Sequence, residues 1–273
     1  MKKISTKWAI LTILVLVIAV TTWCASQRVP TGPDAGTEIH AQAAISSESE
    51  RASFRIGLFN IHGCKGEDQR RDVGRVAKCV PELDFLALCE VRGNRLQHPP
   101  NQAENLAKRL DRAWLFAPAS RRWFCKDFGN GLLTAMRVEY WQRIPLPQKY
   151  DYSFRNAVLV GLKHREHLIH VLITHITQRD DRERRAQLAV VTRLFLSLAK
   201  PAILVGDLNT RPDDPMIRTL LKMPDVDDPL SEKNDPGRVD WIITRGLCVK
   251  MAEIVSNNAS DHPLIWAELE VAP

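Results

Sequence analysis

The 273-residue sequence has no cysteines spaced Cys-x-x-Cys, no glycine-rich phosphate loop ending in Gly-Lys-Ser/Thr, no Gly-x-Ser-x-Gly elbow and no Gly-x-Gly-x-x-Gly fingerprint. These absences leave zinc or dithiol redox chemistry, nucleotide-driven work, serine hydrolysis and dinucleotide-dependent dehydrogenation without support. Internal repeats and low-complexity tracts are missing from the bulk of the chain, which argues against a solenoid. With 45% apolar and 26% charged residues, disorder, collagen and a polytopic membrane protein are excluded, and one large globular core fits.

The one long apolar run lies at the start. Lys2, Lys3 and Lys7 precede an uncharged, mostly apolar stretch from Trp8 to Gln27, which as a helix measures about 30 Å and just spans a bilayer. Residues 1–27 are therefore expected to be an N-terminal transmembrane or signal helix. Trp23 and Cys24 stand where a signal peptide has small residues before its cut, so an uncleaved anchor is favoured over a cleaved signal. Three lysines before the run against Arg28 behind it put the N-terminus in the cytoplasm and the rest of the chain on the extracytoplasmic side, with secretion after cleavage as the alternative. Residues 28–52, with Pro30, Gly32, Pro33 and Gly36 followed by a Ser/Glu/Ala-rich stretch, read as a flexible linker. Residues 53–273 read as the folded domain. That domain carries about +5 of the net charge of +6, a mild excess that suits an anionic partner. Its cysteines, Cys64, Cys79, Cys89, Cys125 and Cys248, are odd in number and irregular in spacing; Cys89 reads as a small core residue, and a Cys64–Cys125 disulfide is left open.

Short apolar runs bounded by polar or turn residues predict strands at 54–60, 84–90, 131–136, 156–162, 168–174, 202–206, 239–244 and 264–269. Helices are predicted over 70–80, 101–111 and 182–198, the last with Leu188, Val191, Leu194, Phe195 and Leu198 at spacings of three and four. Strands lacking strict polar alternation are covered on both faces, so the expected class is α/β, a four-layer sandwich of two central mixed sheets flanked by helices.

Polar residues recur just beyond these strands: Asn60, Glu90, His175, Asp207 with Asn209, and Asp261 with His262. Strand ends are where open α/β scaffolds place their chemistry. One such residue is usually a turn or a cap, but a whole series of metal-ligand and proton-transfer types is a site. Carboxylate and amide oxygens are hard ligands for Mg²⁺ or Mn²⁺, the usual companions of phosphate substrates. Asp207 would orient or deprotonate a water, and His262 would stabilise charge developing at phosphorus.

The series Phe59-Asn60-Ile61-His62, Leu88-Cys89-Glu90-Val91, Gly129-Asn130-Gly131, Thr174-His175, Gly206-Asp207-Leu208-Asn209, Arg238-Val239-Asp240-Trp241 and Ser260-Asp261-His262-Pro263 resembles the endonuclease/exonuclease/phosphatase superfamily. The resemblance runs in order from Phe54 to Leu269 and implies phosphoester hydrolysis by metal-activated water. By the same resemblance Glu90 is the principal metal ligand with Asn60 and Asp261 beside it. Asp207 and Asn209 hold the attacking water, His262 contacts phosphate and is oriented by Asp240, and His175 is a further phosphate contact. Cys89 stands where the family usually has Gln, and His62 where some members carry an additional acid.

For substrate binding the sequence offers Arg155, which resembles a position near the cleft, and the basic and aromatic cluster Arg121, Arg122 and Trp123. Arg184 and Gln187 resemble a structural Arg-x-x-Gln pattern. The basic charge and compact domain favour a nuclease or DNA phosphodiesterase. The anchor favours a sphingomyelinase-like phospholipid or inositol-phosphate hydrolase. A tethered, non-enzymatic binding module is the third reading. DNA is favoured over lipid or inositol phosphate as the partner, with the membrane reached through the N-terminal segment.

Overall fold

The computed structural model describes residues 6–26, 29–41, 51–93, 101–121, 127–149 and 154–272, with side chains of the first helix described from Lys7 to Trp23. In chain order the elements are α1 (Thr6–Ser26), β1 (Val29–Pro30), β2 (Asp34–Gly36), β3 (Ser53–Asn60), α2 (Val73–Cys79), β4 (Phe85–Arg92), α3 (Gln102–Leu110), β5 (Ala113–Arg121), β6 (Phe128–Thr134) and β7 (Arg137–Pro145). They continue as β8 (Asn156–His164), β9 (His167–His175), α4 (Asp181–Ser197), β10 (Ala202–Asp207), α5 (Pro215–Leu221), β11 (Val226–Asp227), β12 (Asp240–Arg245), β13 (Leu247–Val255) and β14 (Leu264–Val271).

Two mixed sheets form, in the orders β1-β5-β6-β4-β3-β14-β13 and β11-β12-β10-β9-β8-β7-β2. Parallel pairs, β3 with β4 and β9 with β10, sit at their centres, where both faces are covered. Alternate residues of each strand face the other sheet. Ile56, Leu58, Phe85 and Ala87 from one sheet meet Val158, Val171, Ile173, Ile203 and Val205 from the other. The opposite faces take the helices: Leu106 of α3 and Val76 of α2 pack with Leu86, Leu88 and Leu133, and Leu188, Val191 and Phe195 of α4 pack with Leu172, Leu204 and Ile243. The result is the expected helix–sheet–sheet–helix sandwich.

Helix starts are fixed by side-chain caps. Asp72, Asn101, Asp180 and Asp214 each accept a hydrogen bond from a backbone N–H two or three residues on. Asp214 is followed by Pro215 at the first helical position, where the missing N–H costs nothing.

The N-terminal segment departs from the expectation. Residues 29–41 are not a free linker but a strap laid across one side of the sandwich. β1 pairs antiparallel with β5, Pro30 opposite Ser120, and β2 pairs antiparallel with β7, Gly36 opposite Trp141. Thr31 hydrogen-bonds Pro118, the Arg143 Nε–H donates to the Gly32 carbonyl at 2.9 Å, and the Trp141 indole donates to the Glu38 carbonyl at 3.0 Å. Ile39 is buried in the inter-sheet core, and His40 stacks on Trp114 with centroids 4.1 Å apart. Residues 42–50 of the expected linker lie outside the described residues.

In α1 the large apolar side chains from Trp8 to Trp23 are 48–66% exposed on every side. Among the described residues, which in α1 means side chains from Lys7 to Trp23, no helix is long and apolar enough to cross a membrane, and the expected span from Trp8 to Gln27 runs beyond them.

Candidate active site

β10 carries Ile203, Val205 and then Asp207 on the face turned toward the other sheet, so the core stripe ends in a carboxylate. In register with Asp207 stand His175, the last residue of parallel β9, and Asp240, the first of antiparallel β12. Paired residues share a face, so all three side chains project into the same end of the inter-sheet space. From the opposite sheet Asn60 ends the Ile56–Leu58 stripe, and its Nδ2–H donates to Asp207 Oδ2 at 3.0 Å. Gly206 is required just before Asp207, because a Cβ there would collide with the Thr174 carbonyl of β9.

Glu90 is aimed by the backbone. Cys89 faces the core and hydrogen-bonds the Thr174 carbonyl at 3.4 Å, so the next side chain of a regular strand would turn away. A bulge between Leu88 and Val91, with Glu90 at φ 59°, redirects it. Its carboxylate has no hydrogen bond or ion pair among the described residues, yet its charge acts on Arg155 and Arg92.

Two histidines flank Asp207 in opposite charge states. His175 is buried, and burial, then Arg155 and His262, push its pKa well below the usual imidazole value. Arg155 Nη1–H donates to His175 Nδ1 at 3.3 Å, which leaves the proton on Nε2, 3.4 Å from Asp207 Oδ2. His262 is the reverse. Burial opposes its charge, but the Nδ1–H bond to Asp240 Oδ2 at 2.7 Å, with the charges of Asp240, Asp207 and Asp261, raises its pKa to about 9. Its Nε2 lies 3.9 Å from Asp207 Oδ2. Asp207 is lifted to about 7 by burial and then by Asp240, against the pull of His262, the Asn209 N–H at 2.9 Å and the Asn60 amide. Asn209, at φ 44°, donates from Nδ2 to the Ile176 carbonyl at 2.9 Å, which holds the turn after β10.

The remaining predicted residues are placed as follows. Arg155 lies over the Phe128 ring, 5.5 Å from its centroid, with Nε buried and without a hydrogen-bond partner among the described residues. Asp261 is exposed and pairs with His62 Nδ1 at 3.1 Å. Arg121 ends β5 on the surface, its backbone paired with Val29, so it stands at the rim and not in the cleft. Arg122 and Trp123 lie outside the described residues, as does Cys125. Gln187 bridges the Thr177 N–H and the Pro147 carbonyl, a structural role.

Several roles were not anticipated. Asn130 donates to Asn156 Oδ1 at 2.9 Å and Asn156 to the Ala117 carbonyl, which ties the two sheets together behind Arg155. Arg71 donates to the Gly63 carbonyl at 2.5 Å, and its guanidinium and that of Arg92 both crowd the space a Gly63 side chain would fill. The alternation Glu90-Val91-Arg92 was the available signal for Arg92.

Asp207, Asp240 and His262 bring ligand atoms within 4.8 Å of one another, a group that could hold a metal ion, and the His262 Nδ1–Asp240 Oδ2 hydrogen bond at 2.7 Å lies within it. Glu90, the Asn60 amide oxygen and Asp261 are hard oxygen donors of the kind Mg²⁺ or Mn²⁺ takes; the Asn60 oxygen accepts from the His62 N–H at 3.1 Å, and among the described residues the Glu90 carboxylate has no hydrogen-bond partner. A cavity of about 240 Å³ lined by Val80, Leu83, Leu110 and Leu133 lies in the outer helical layer and contributes none of this chemistry.

Residues 57–262 match the model of the Endonuclease/Exonuclease/phosphatase family. The chain belongs to this family. Its members are phosphoester hydrolases, and the fold recurs in solved structures. An endonuclease/exonuclease/phosphatase from Bacteroides vulgatus superposes with a TM-score of 0.66 at 18% identity, covering 81% of this chain and 100% of that one. D. rerio TDP2 complexed with a single-strand DNA product gives 0.60 at 17% identity, with 81% and 100% covered. The Bacteroides thetaiotaomicron mannosyl-6-phosphatase Bt3783 gives 0.61 at 14%, with 79% and 99% covered. No curated protein matches the chain.

Proposed function

We propose that this protein is a divalent-metal-dependent phosphoester hydrolase that uses an activated water. The observation that carries the reading is the placement of Asp207, a buried carboxyl that accepts from the Asn60 amide at 3.0 Å and stands between His175 Nε2 at 3.4 Å and His262 Nε2 at 3.9 Å, with burial raising its pKa. A carboxylate so poised takes a proton from water near neutral pH. Glu90, Asn60 and Asp261 would hold Mg²⁺ or Mn²⁺, which supplies positive charge against the phosphate oxygens. His262 keeps its proton through Asp240 and presents Nε2–H to charge developing on phosphorus. His175 holds Asp207 in place, and Arg155 adds positive charge beside the Phe128 ring.

The basic charge favours a polyanion such as DNA, and D. rerio TDP2 holds single-strand DNA on the same fold. A phosphoester carried on lipid is the second reading, favoured by α1. Among the described residues its apolar side chains from Trp8 to Val20 are about half exposed or more on every side, which supports a membrane anchor, and Lys2, Lys3 and Lys7 support an extracytoplasmic catalytic domain.

The test is hydrolysis of plasmid and linear DNA, sphingomyelin and inositol phosphates side by side, with Mg²⁺ or Mn²⁺. Turnover abolished in Glu90→Ala and Asp207→Ala is the expected result. No hydrolysis of any phosphoester by protein that binds the metal would move the reading to a binding module. N-terminal sequencing from the membrane fraction tests the anchor, and a mature chain beginning near Ser26 would refute it.

A further inference from the structure

The strap fixes where the cleft stands relative to whatever holds α1. Pro30 pairs with Ser120, Ser120 pairs with Phe128, and Phe128 touches the cleft residues His175, at 6.3 Å between ring centroids, and Arg155. β1 is therefore two strand spacings, about 10 Å, from the cleft wall. From Ser26, the end of α1, to Val29, the start of β1, the chain has three residue steps and reaches at most about 10 Å. The hydrogen bonds of Thr31, Gly32 and Glu38, together with buried Ile39, hold the strap down and prevent it from paying out as a long tether.

We propose that the strap seats the mouth of the cleft against the membrane surface, and that where it does so the second of the two readings above takes precedence, a phosphoester displayed on membrane lipid reaching the cleft ahead of DNA. This rests on the reading of α1 as an anchor. With the end of α1 at the headgroups, the cleft wall lies within about 20 Å of them. The turn between β8 and β9, where exposed Arg165 sits, marks the other end of the molecule. β8 runs nine residues from Asn156 at the cleft to His164, placing that turn about 30 Å farther along the strand.

The experiment uses the full chain in vesicles of phosphatidylcholine and phosphatidylglycerol bearing an acceptor dye on the headgroup. A fluorescent amino acid at Arg121 should transfer energy strongly, and the same probe at Arg165 weakly. A proline-rich spacer of about 20 residues between Gln27 and Arg28, some 60 Å long, should abolish the difference. The spacer should also slow hydrolysis of a lipid-borne phosphodiester in the same vesicles at least tenfold while leaving soluble bis(p-nitrophenyl) phosphate turnover unchanged. Equal transfer from the two positions without the spacer overturns the proposal, as does a lipid-borne rate indifferent to the spacer or DNA turned over faster than lipid by both forms. A chain recovered in the soluble fraction overturns the anchor and the seating together. Failure to turn over the soluble ester refutes the hydrolase reading alone, and the transfer measurement still decides the seating.

Discussion

His262 and Asp207 divide the proton work through their neighbours. The charge of His262 depends on Asp240, whose Oδ2 accepts from Nδ1 at 2.7 Å. In metal-free protein the His262 imidazole should titrate near pH 9 by NMR, and in Asp240→Asn well below that value. The raised pKa contributes stability that is complete below the unfolded value of 6.5 and is lost as pH rises through about 9. The gap in thermal stability between wild type and Asp240→Asn should therefore close above pH 9. Asp207 and Glu90 should separate in a different experiment. Asp207→Asn should lower turnover by roughly a thousandfold while Mn²⁺ binding, read by titration calorimetry, stays near wild type. Glu90→Gln should weaken Mn²⁺ binding by roughly a hundredfold, and unchanged affinity would remove Glu90 from the metal site. The polar residues at strand ends were legible because each closes an apolar run, as Asp207 closes Ala202–Gly206. The direction of Glu90 was not, since it depends on a backbone bulge that residue type does not encode. The meeting of Arg71 with Arg92 depends on a loop folding over Gly63 and has no periodic signal.

Among the elements, β10 and its neighbours tolerate the least change. Gly206→Ala should destabilise the fold by about 2 kcal/mol or more in urea unfolding and reduce turnover, because relief of the clash with Thr174 moves Asp207. The strap should behave as part of the domain. A fragment beginning at Val29 should unfold at a clearly higher urea concentration than one beginning at Ser53, by on the order of 3 kcal/mol, since the shorter one uncovers the Ile39 site and the Trp114 ring. Equal midpoints would show the strap to be dispensable. Central strands were readable as apolar runs because helices and the second sheet cover both their faces. β7 and β13 were not, because Arg137, Glu139 and Gln142 in one and Lys250 and Glu253 in the other break the pattern. β1 and β2 are two and three residues long and carry Pro30 and Gly36, composition that ordinarily marks a loop. α5 was not predicted either, although Asp214-Pro215, a cap and a helix-starting proline, was an available signal.

For the whole molecule, the anchor reading predicts a definite sidedness. In intact spheroplasts added protease should digest the domain, and protection until lysis would place it in the cytoplasm instead. The four-layer arrangement also leaves one practical question about its margins. On the side where the strap lies, the sheets would otherwise end in β5 and β7, each nine residues long. An open strand of that length offers its backbone N–H and C=O groups to any extended chain nearby. β1 and β2 cover part of each margin with pieces too short to extend the ladder further. The thirteen residues of the strap thus also blunt two sites for strand addition, and a chain trimmed to Ser53 should self-associate where one trimmed to Val29 stays monomeric.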